Sequence, residues 1–120
     1  MKTKALLLAI FISIAGVTSA QAHSSLVNSL PKSNAILKKL PNQVLLNFNE
    51  SLLKIGTRAI NKISILGPKG EYGVGVTTVS GRQISRIVRT SNDKGNYLIN
   101  WRAVSEDGHV VNGHINFKVI

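Results

Sequence analysis

Apolar and polar residues alternate along much of the chain after residue 40, and this pattern predicts β-strands. In the stretch QVLLNFNE, the apolar residues Val44, Leu46 and Phe48 alternate with Leu45, Asn47 and Asn49. Spacing with a period of two is typical of a strand with one buried face. Further strands are predicted over residues 60–66, 74–79, 82–90, 97–104 and 114–120.

Turn residues separate these segments. Gly67-Pro68-Lys69-Gly70 and Asn92-Asp93-Lys94-Gly95-Asn96 are clusters of residues that favour turns. The segment SNAILKKL, Ser33–Leu40, predicts a helical turn between two prolines. Because no long segment has a helical period of 3.6, we expect an all-β fold, an antiparallel sandwich or barrel in a single domain.

The first 22 residues have the three parts of a secretory signal peptide. Lys2 and Lys4 are followed by the apolar run 5–17 and then by Ala20-Gln21-Ala22, an A-x-A pattern. The apolar run is shorter than the roughly 20 residues that span a bilayer. We therefore predict cleavage after Ala22, an exported domain of residues 23–120 and no membrane-spanning segment; a retained N-terminal anchor is the alternative.

Composition restricts the chemistry that this domain can perform. The chain has no cysteine, and its only methionine is Met1, so residues 23–120 contain no sulfur ligand for a metal. Without Lys2 and Lys4 the chain keeps 13 Lys and Arg against 5 Asp and Glu. A basic protein can approach nucleic acid or an anionic surface. The basic residues are dispersed, however, and the few aromatic residues fit a core, so we expect no nucleic-acid partner.

Cleavage after Ala22 would make His23 the first residue of the mature protein. Its α-amine and its imidazole Nδ1 could then close a chelate ring on a metal ion, since both groups deprotonate readily when a metal competes for their lone pairs. Cleavage after Ala20 would remove this chelate. The alternative is that His23 is an incidental residue of a frayed terminus.

A second group of candidate ligands follows the strand that contains Trp101. In Asp107-Gly108-His109, a carboxylate and an imidazole two residues apart can converge on one ion, although Asp-Gly is also a common turn sequence. Glu50 ends the strand 44–49 and could be a weak ligand or a supporting acid. His114 falls on the polar face of the last strand, where we expect it to face solvent.

Nitrogen and carboxylate ligands of this kind suit Cu(II), and zinc accepts the same atoms. The absence of Cys and Met argues against a Cu(I) site. At this stage the residues predict a metal-binding site without fixing the metal.

Two blocks of the sequence resemble the CopC copper-resistance family. The first is LVNSLPKSNAILKKLPNQVLLNFNESL after the predicted mature start, and the second is YLINWRAVSEDGHVVNGHINFKV. The second resembles a family signature in which Asp-Gly-His follows a Trp-Arg strand. Val110 replaces the usual proline after this histidine, and the middle of the chain, about 52–90, matches only loosely.

The resemblance implies a cupredoxin-like Greek-key β-barrel or sandwich in the periplasm. It also implies a Cu(II) site made by the amine and imidazole of His23 with Asp107 and His109, and with Glu50 in the place of a family acid near the copper. The implied function is a carrier or buffer for copper resistance or homeostasis, not an enzyme. A CopD-like inner-membrane copper transporter is the expected partner, and the protein is expected to be a monomer.

Two other functions remain open at the level of the sequence. A copper-dependent oxidative enzyme resembling the polysaccharide monooxygenases would also use an N-terminal histidine brace, but it needs an open copper position and a broad substrate face. A basic exported module that binds anionic surfaces would need no metal at all, and its binding would depend strongly on salt.

Overall fold

The computed structural model describes residues 25–120, and the named elements in this range are nine β-strands. They are β1 (Leu26–Leu30), β2 (Ala35–Leu37), β3 (Gln43–Phe48), β4 (Lys62–Gly67), β5 (Gly70–Glu71), β6 (Gly73–Ser80), β7 (Gln83–Val88), β8 (Gly95–Val104) and β9 (Val110–Val119). In this part of the chain, no helix is long and apolar enough to cross a membrane. The predicted signal peptide and His23 lie outside the described residues.

The strands form two sheets. One sheet has the order β1-β3-β7-β6, and the other has the order β2-β9-β8-β4-β5. The long hairpin of β8 and β9 pairs without interruption from Gly95 opposite Val119 to Val104 opposite Val110. The expected all-β Greek-key sandwich is therefore confirmed.

The core lies between the inner faces of the two sheets, as the period of two predicts. Val44, Leu46 and Phe48 of β3 are buried, and they meet Ile99 of β8 and Phe117 of β9 within one apolar cluster. Tyr97 stacks on Phe117 with ring centroids 5.0 Å apart. The aromatic residues between 25 and 120 thus pack the core, except that Trp101 is only partly buried.

The prediction of a helical turn over Ser33–Leu40 was wrong. Asn34 has a φ of 64°, which turns the chain, and the backbone then extends as β2 along β9. Ala35 and Leu37 point toward the core while Ile36 is exposed, so the segment has the period of a strand. The pairing of β2 with β9 is parallel, whereas the sequence predicted an antiparallel fold throughout.

The topology brings three parts of the chain together at one end of the sandwich. The β8–β9 connection, the end of β3 and the start of β1 all lie there, because β1 and β3 are antiparallel with Leu26 opposite Phe48. An isolated bridge joins Leu52 to Ser105 and fixes the segment after β3 against the β8–β9 connection.

Candidate metal site

The connection between β8 and β9 is a tight turn that carries two of the predicted ligands. The N–H of Ser105 donates to the carbonyl of His109 at 3.0 Å, and the N–H of Gly108 donates to the carbonyl of Ser105 at 2.9 Å. Gly108 has a φ of 92°, a conformation that glycine adopts at little cost. The Asp-Gly turn signal and the ligand positions therefore coexist in one loop.

Asp107 and His109 are in direct contact, whereas their spacing predicted only that the two side chains lie on the same side of the chain. His109 Nδ1 lies 2.9 Å from Asp107 Oδ2, and the two side chains are about half exposed, at 54% and 50%. The backbone N–H of His109 donates to Asp107 Oδ1 at 3.2 Å, and the hydroxyl of Ser105 donates to the same oxygen. These contacts fix the direction of both side chains before any ion binds.

The same contacts keep the Asp107 carboxyl ionised. The Ser105 hydroxyl, the backbone N–H of His109 and the His109 ring, in that order, lower the pKa of Asp107 from 3.8 to about 2. Hydrogen bonds to the charged form of a carboxyl favour that form. Asp107 therefore presents a negative charge at any pH at which a histidine can bind metal.

A hydrogen bond made by the residue after Glu50 holds this part of the chain beside the loop. The N–H of Glu106 donates to the carbonyl of Ser51 at 3.1 Å, so the residue after Glu50 is tied to the residue before Asp107. Glu50 itself is partly buried.

The start of the described chain is fixed on the other side of Glu50. The N–H of Ser25 donates to Asn49 Oδ1 at 2.7 Å, and the N–H of Asn49 donates to the carbonyl of Ser25 at 3.0 Å. His23 lies outside the described residues, two positions before Ser25.

Comparison with known proteins identifies the family. Residues 26–120 match the CopC domain. The chain belongs to the CopC domain family.

Two curated proteins and one solved structure show how far the similarity of this CopC-domain protein extends. It is 30% identical to Copper resistance protein C of Escherichia coli over 84% of each chain. It is 32% identical to Copper transport protein CutJ of Bacillus subtilis, where the match covers 82% of this chain but only 18% of that protein. The crystal structure of CopC from Methylosinus trichosporium OB3b is 28% identical with a TM-score of 0.69, over 81% of this chain and 93% of the other.

The described part of the CopC domain contains no complete metal site by itself. Within residues 25–120, no three side chains of the types His, Asp, Glu or Cys are grouped closely enough to hold an ion. Asp107 and His109 are brought together, and Glu50 is brought to the same end of the fold. His114 is exposed on β9, opposite Asn100, as the pattern predicted.

The structure also shows two supporting residues that the sequence did not reveal. Ser105 holds Asp107, and Asn49 holds Ser25 through both its backbone and its side chain. The sequence carries no signal for either role, because each depends on contacts between segments that are distant in the chain or on the exact path of a turn.

The residues of this end of the CopC domain fit a borderline metal ion. They offer one ionised carboxylate and one imidazole held at 2.9 Å from each other, and the backbone of Ser25 is held to Asn49 at the same end of the fold. With Nδ1 facing Asp107, the ring nitrogen turned away from the carboxylate is Nε2. Imidazole nitrogen and carboxylate oxygen are ligands that suit Cu(II), and Zn(II) accepts the same atoms.

Proposed function

We propose that this protein binds Cu(II) and carries or buffers copper, and that its site consists of the α-amine and imidazole of His23 with Asp107 and His109. Glu50 stands beside the site as a weak ligand or as an acid that supports one. The proposal includes removal of residues 1–22 as a signal peptide, so that residues 23–120 form the working domain in the periplasm.

The observation that carries the proposal is the ionised Asp107–His109 pair on a preformed loop. A copper site built on this pair needs two or more further nitrogen or oxygen ligands, and the described residues do not supply them. In support of this, the hydrogen bonds between Ser25 and Asn49 hold the chain two residues after His23 at the same end of the sandwich. An α-amine and an imidazole on one residue would complete a set of three nitrogens and one oxygen, which suits tetragonal Cu(II).

The names of the relatives support copper handling rather than catalysis. Both curated relatives are named for copper resistance or copper transport. An acidic ligand such as Asp107 would also occupy a copper position that oxygen chemistry requires. The enzyme alternative predicts oxidation of a polysaccharide or a reductant by the copper-loaded protein, and we expect neither.

A membrane copper transporter is the partner that we propose. In CutJ the region similar to this chain makes up 18% of a longer protein that is named for copper transport. A separate CopC-domain protein could serve a CopD-like inner-membrane transporter as its exchangeable copper-binding part. We propose that the protein acts as a monomer in this exchange.

The decisive experiment is a Cu(II) titration followed by electron paramagnetic resonance on two preparations. One begins at His23 with a free amine, and the other carries one additional alanine before His23. We expect one tightly bound Cu(II) with a nitrogen-rich tetragonal spectrum in the first preparation and much weaker binding in the second. Equal binding in both would exclude the terminal chelate, and detection of Gln21 or Ser24 as the natural first residue would contradict the predicted cleavage.

A matched pair of histidine variants tests the loop. His109→Ala should weaken Cu(II) binding by at least tenfold and remove one nitrogen from the spectrum, whereas His114→Ala should leave affinity and spectrum unchanged. His114 is a suitable control because it is exposed on β9, whose strand begins just after this loop. Equal effects of the two substitutions would contradict the assignment of His109.

A further inference from the structure

The end of the sandwich away from the metal-site loop carries a small cleft lined by three lysines. Lys38 and Lys39 follow β2 on one side, and Ser91, Asn92 and Lys94 form the other side. The cleft encloses about 150 Å³, and the buried side chains of Leu40 and Val119 form its floor. The N–H of Ile120 donates to the carbonyl of Leu37 at 2.9 Å, which fixes the chain at the edge of the cleft.

The cleft is separate from the candidate metal site. Val119 lies opposite Gly95 at one end of the β8–β9 hairpin, and Val110 lies opposite Val104 at the other end. Strands of ten residues at 3.3 Å per residue place the two ends about 30 Å apart. Whatever binds in this cleft therefore does not share a ligand with Asp107 or His109.

Among the described residues, no acidic side chain forms an ion pair with the lysines of the cleft. None of the ion pairs among residues 25–120 includes Lys38, Lys39 or Lys94, and no carboxylate lines the cleft. Asp93 is the nearest acid along the chain, and its oxygens are engaged elsewhere. Lys69 Nζ lies 3.3 Å from Oδ1, and the hydroxyl of Tyr72 donates to Oδ2 at 2.6 Å.

The cleft also offers one neutral side chain with hydrogen-bond donors. Asn92 contributes a side-chain amide with two N–H groups. Ser91 is engaged within the protein, because its hydroxyl oxygen accepts from the N–H of Asp93 at 3.0 Å and its O–H is hydrogen-bonded to the Asp93 side chain. Three ammonium groups with an amide donor match an oxyanion that has several acceptor oxygens and more than one negative charge.

We propose that this lysine cleft binds a phosphate group. Lysine ammonium groups act as point-charge donors to phosphate, and a dianion of this size would relieve the repulsion among three lysines that line one small volume. The phosphate can belong to a free inorganic or ester phosphate or to the headgroup of an anionic lipid, since both present the same oxygens. In the second case the metal site would face away from the lipid surface, about 30 Å from it.

The test compares two triple variants that lose the same charge. The cleft variant carries Lys38→Gln, Lys39→Gln and Lys94→Gln. The control variant carries Lys32→Gln, Lys54→Gln and Lys62→Gln, three exposed lysines outside the cleft. Each purified protein is titrated with inorganic phosphate at 0.15 M salt, and backbone amide shifts are followed by NMR.

We expect saturable binding of phosphate by the unmodified protein, with the largest shifts at residues 38, 39 and 91–94. The cleft variant should bind at least tenfold more weakly, and the control variant should remain within about threefold. Parallel sedimentation with vesicles of neutral phosphatidylcholine, with and without phosphatidylglycerol, distinguishes the source of the phosphate group. Binding of anionic vesicles that the cleft variant alone loses assigns a lipid headgroup, and phosphate binding without vesicle binding assigns a free phosphate.

Two results would overturn the proposal. Equal losses in the two triple variants would show a general effect of net charge, and the absence of saturable binding to both phosphate and anionic vesicles would show that the cleft has no such ligand. Neither result bears on copper binding, because the variants leave His23, Asp107 and His109 intact.

Discussion

Ser105 illustrates how one hydroxyl prepares a candidate ligand. It is buried at the end of β8, and it donates to Asp107 Oδ1, the oxygen that also accepts from the backbone N–H of His109. The carboxylate therefore has one oxygen held by the loop and one oxygen facing the imidazole. A hydroxyl that lowers the pKa of a carboxyl also restricts the directions in which that carboxylate can point.

Ser105→Ala should raise the pKa of Asp107 from about 2 toward 3.8, because the largest of the contacts that favour the ionised form is removed. The carboxyl carbon shift of Asp107, followed by NMR as the metal-free protein is acidified, measures this pKa directly. Ser91→Ala, at the other end of the sandwich, should leave it unchanged. A pKa of about 2 in the Ser105 variant would assign the effect to the His109 contacts alone.

Gly113 leaves the space that the Trp101 ring occupies. A Cβ at position 113 would lie 2.2 Å from Trp101 Cζ2, closer than two carbon atoms can approach. The ring also meets Phe48 edge to face at 5.2 Å, and its Nε1 is buried without a hydrogen-bond partner among the described residues. The indole is therefore held by packing alone.

Gly113→Ala should lower the free energy of unfolding by about 1–3 kcal/mol, the usual cost of inserting volume into a packed site. Trp101→Phe removes the ring atom that the new methyl would strike, so Gly113→Ala should cost clearly less in that background. Chemical denaturation followed by circular dichroism gives the four stabilities of this double-mutant cycle. A cost that is the same in both backgrounds would contradict the steric explanation.

At the scale of elements, β4 shows how a strand at the margin of its sheet is protected. β5 pairs with β4 only at Leu66 and Gly67, so the earlier part of β4 has no strand on that side. Side chains from the other sheet form hydrogen bonds with the backbone N–H and carbonyl groups of this part of β4. Thr77 Oγ1 accepts from the N–H of Ile63 at 3.0 Å, and Arg86 Nη1 donates to the carbonyl of Ile63 at 2.6 Å.

Glu71 is a third side chain, with Thr77 and Arg86, that covers this edge of β4; the three are called the edge cap. Its Oε2 accepts from the N–H of Ile65 at 2.9 Å and lies 3.2 Å from Arg86 Nη1. Gly73 leaves room for the guanidinium, since a Cβ there would lie 2.4 Å from Arg86 Cζ. An exposed strand edge can pair with another chain, and these side chains block that pairing.

Thr77→Val should lower the free energy of unfolding by about 1–2 kcal/mol, because the partly buried N–H of Ile63 loses its acceptor while the side chain keeps its shape. Thr78→Val is the matched control, since Thr78 is exposed on the same strand, and it should change stability by less than about 0.5 kcal/mol. Urea denaturation of the two variants checks this. Similar losses of unfolding free energy in both variants would show that the threonines act through strand propensity and not through the edge cap.

The sequence predicted the elements that are governed by a local period and missed those that depend on distant partners. The strands that became β3, β4, β6, β7, β8 and β9 alternate visibly, and their positions are confirmed within a few residues. β2 was predicted as a helical turn because its three residues acquire their extended form from β9, about 80 residues later. In the candidate site, the placement of Asp107 and His109 on one side of the chain is local and was predicted, whereas the Ser25–Asn49 contact was not.

At the scale of the whole molecule, acid stability depends on carboxyls whose pKa values are lowered on folding. The hydroxyl of Tyr72, then Ser91 and Lys69, lower the pKa of Asp93 from 3.8 to about 2. A carboxyl with a depressed folded-state pKa stabilises the fold above its unfolded pKa, and this contribution is lost as the pH falls toward the folded value. The fold should therefore lose stability between about pH 4 and pH 2.

Asp93→Asn should flatten this part of the profile, because asparagine does not titrate. We expect the free energy of unfolding of the variant to be lower than that of the unmodified protein at pH 6 and to approach it at pH 2. Urea denaturation at both pH values measures the difference. A constant difference across this range would show that Asp93 contributes through packing and not through its charge.

The two hydrogen bonds between Ser25 and Asn49 have a consequence for how a metal is captured. Because they anchor the backbone two residues after His23, closing a ring between the proposed terminus at His23 and the 105–109 loop would be an intramolecular event. A short tether keeps the effective concentration of one partner near the other at roughly the millimolar level, however dilute the protein is. The rate at which the proposed site captures a scarce ion would then depend on the concentration of the ion. It would not be limited by bringing the ligands of the site together.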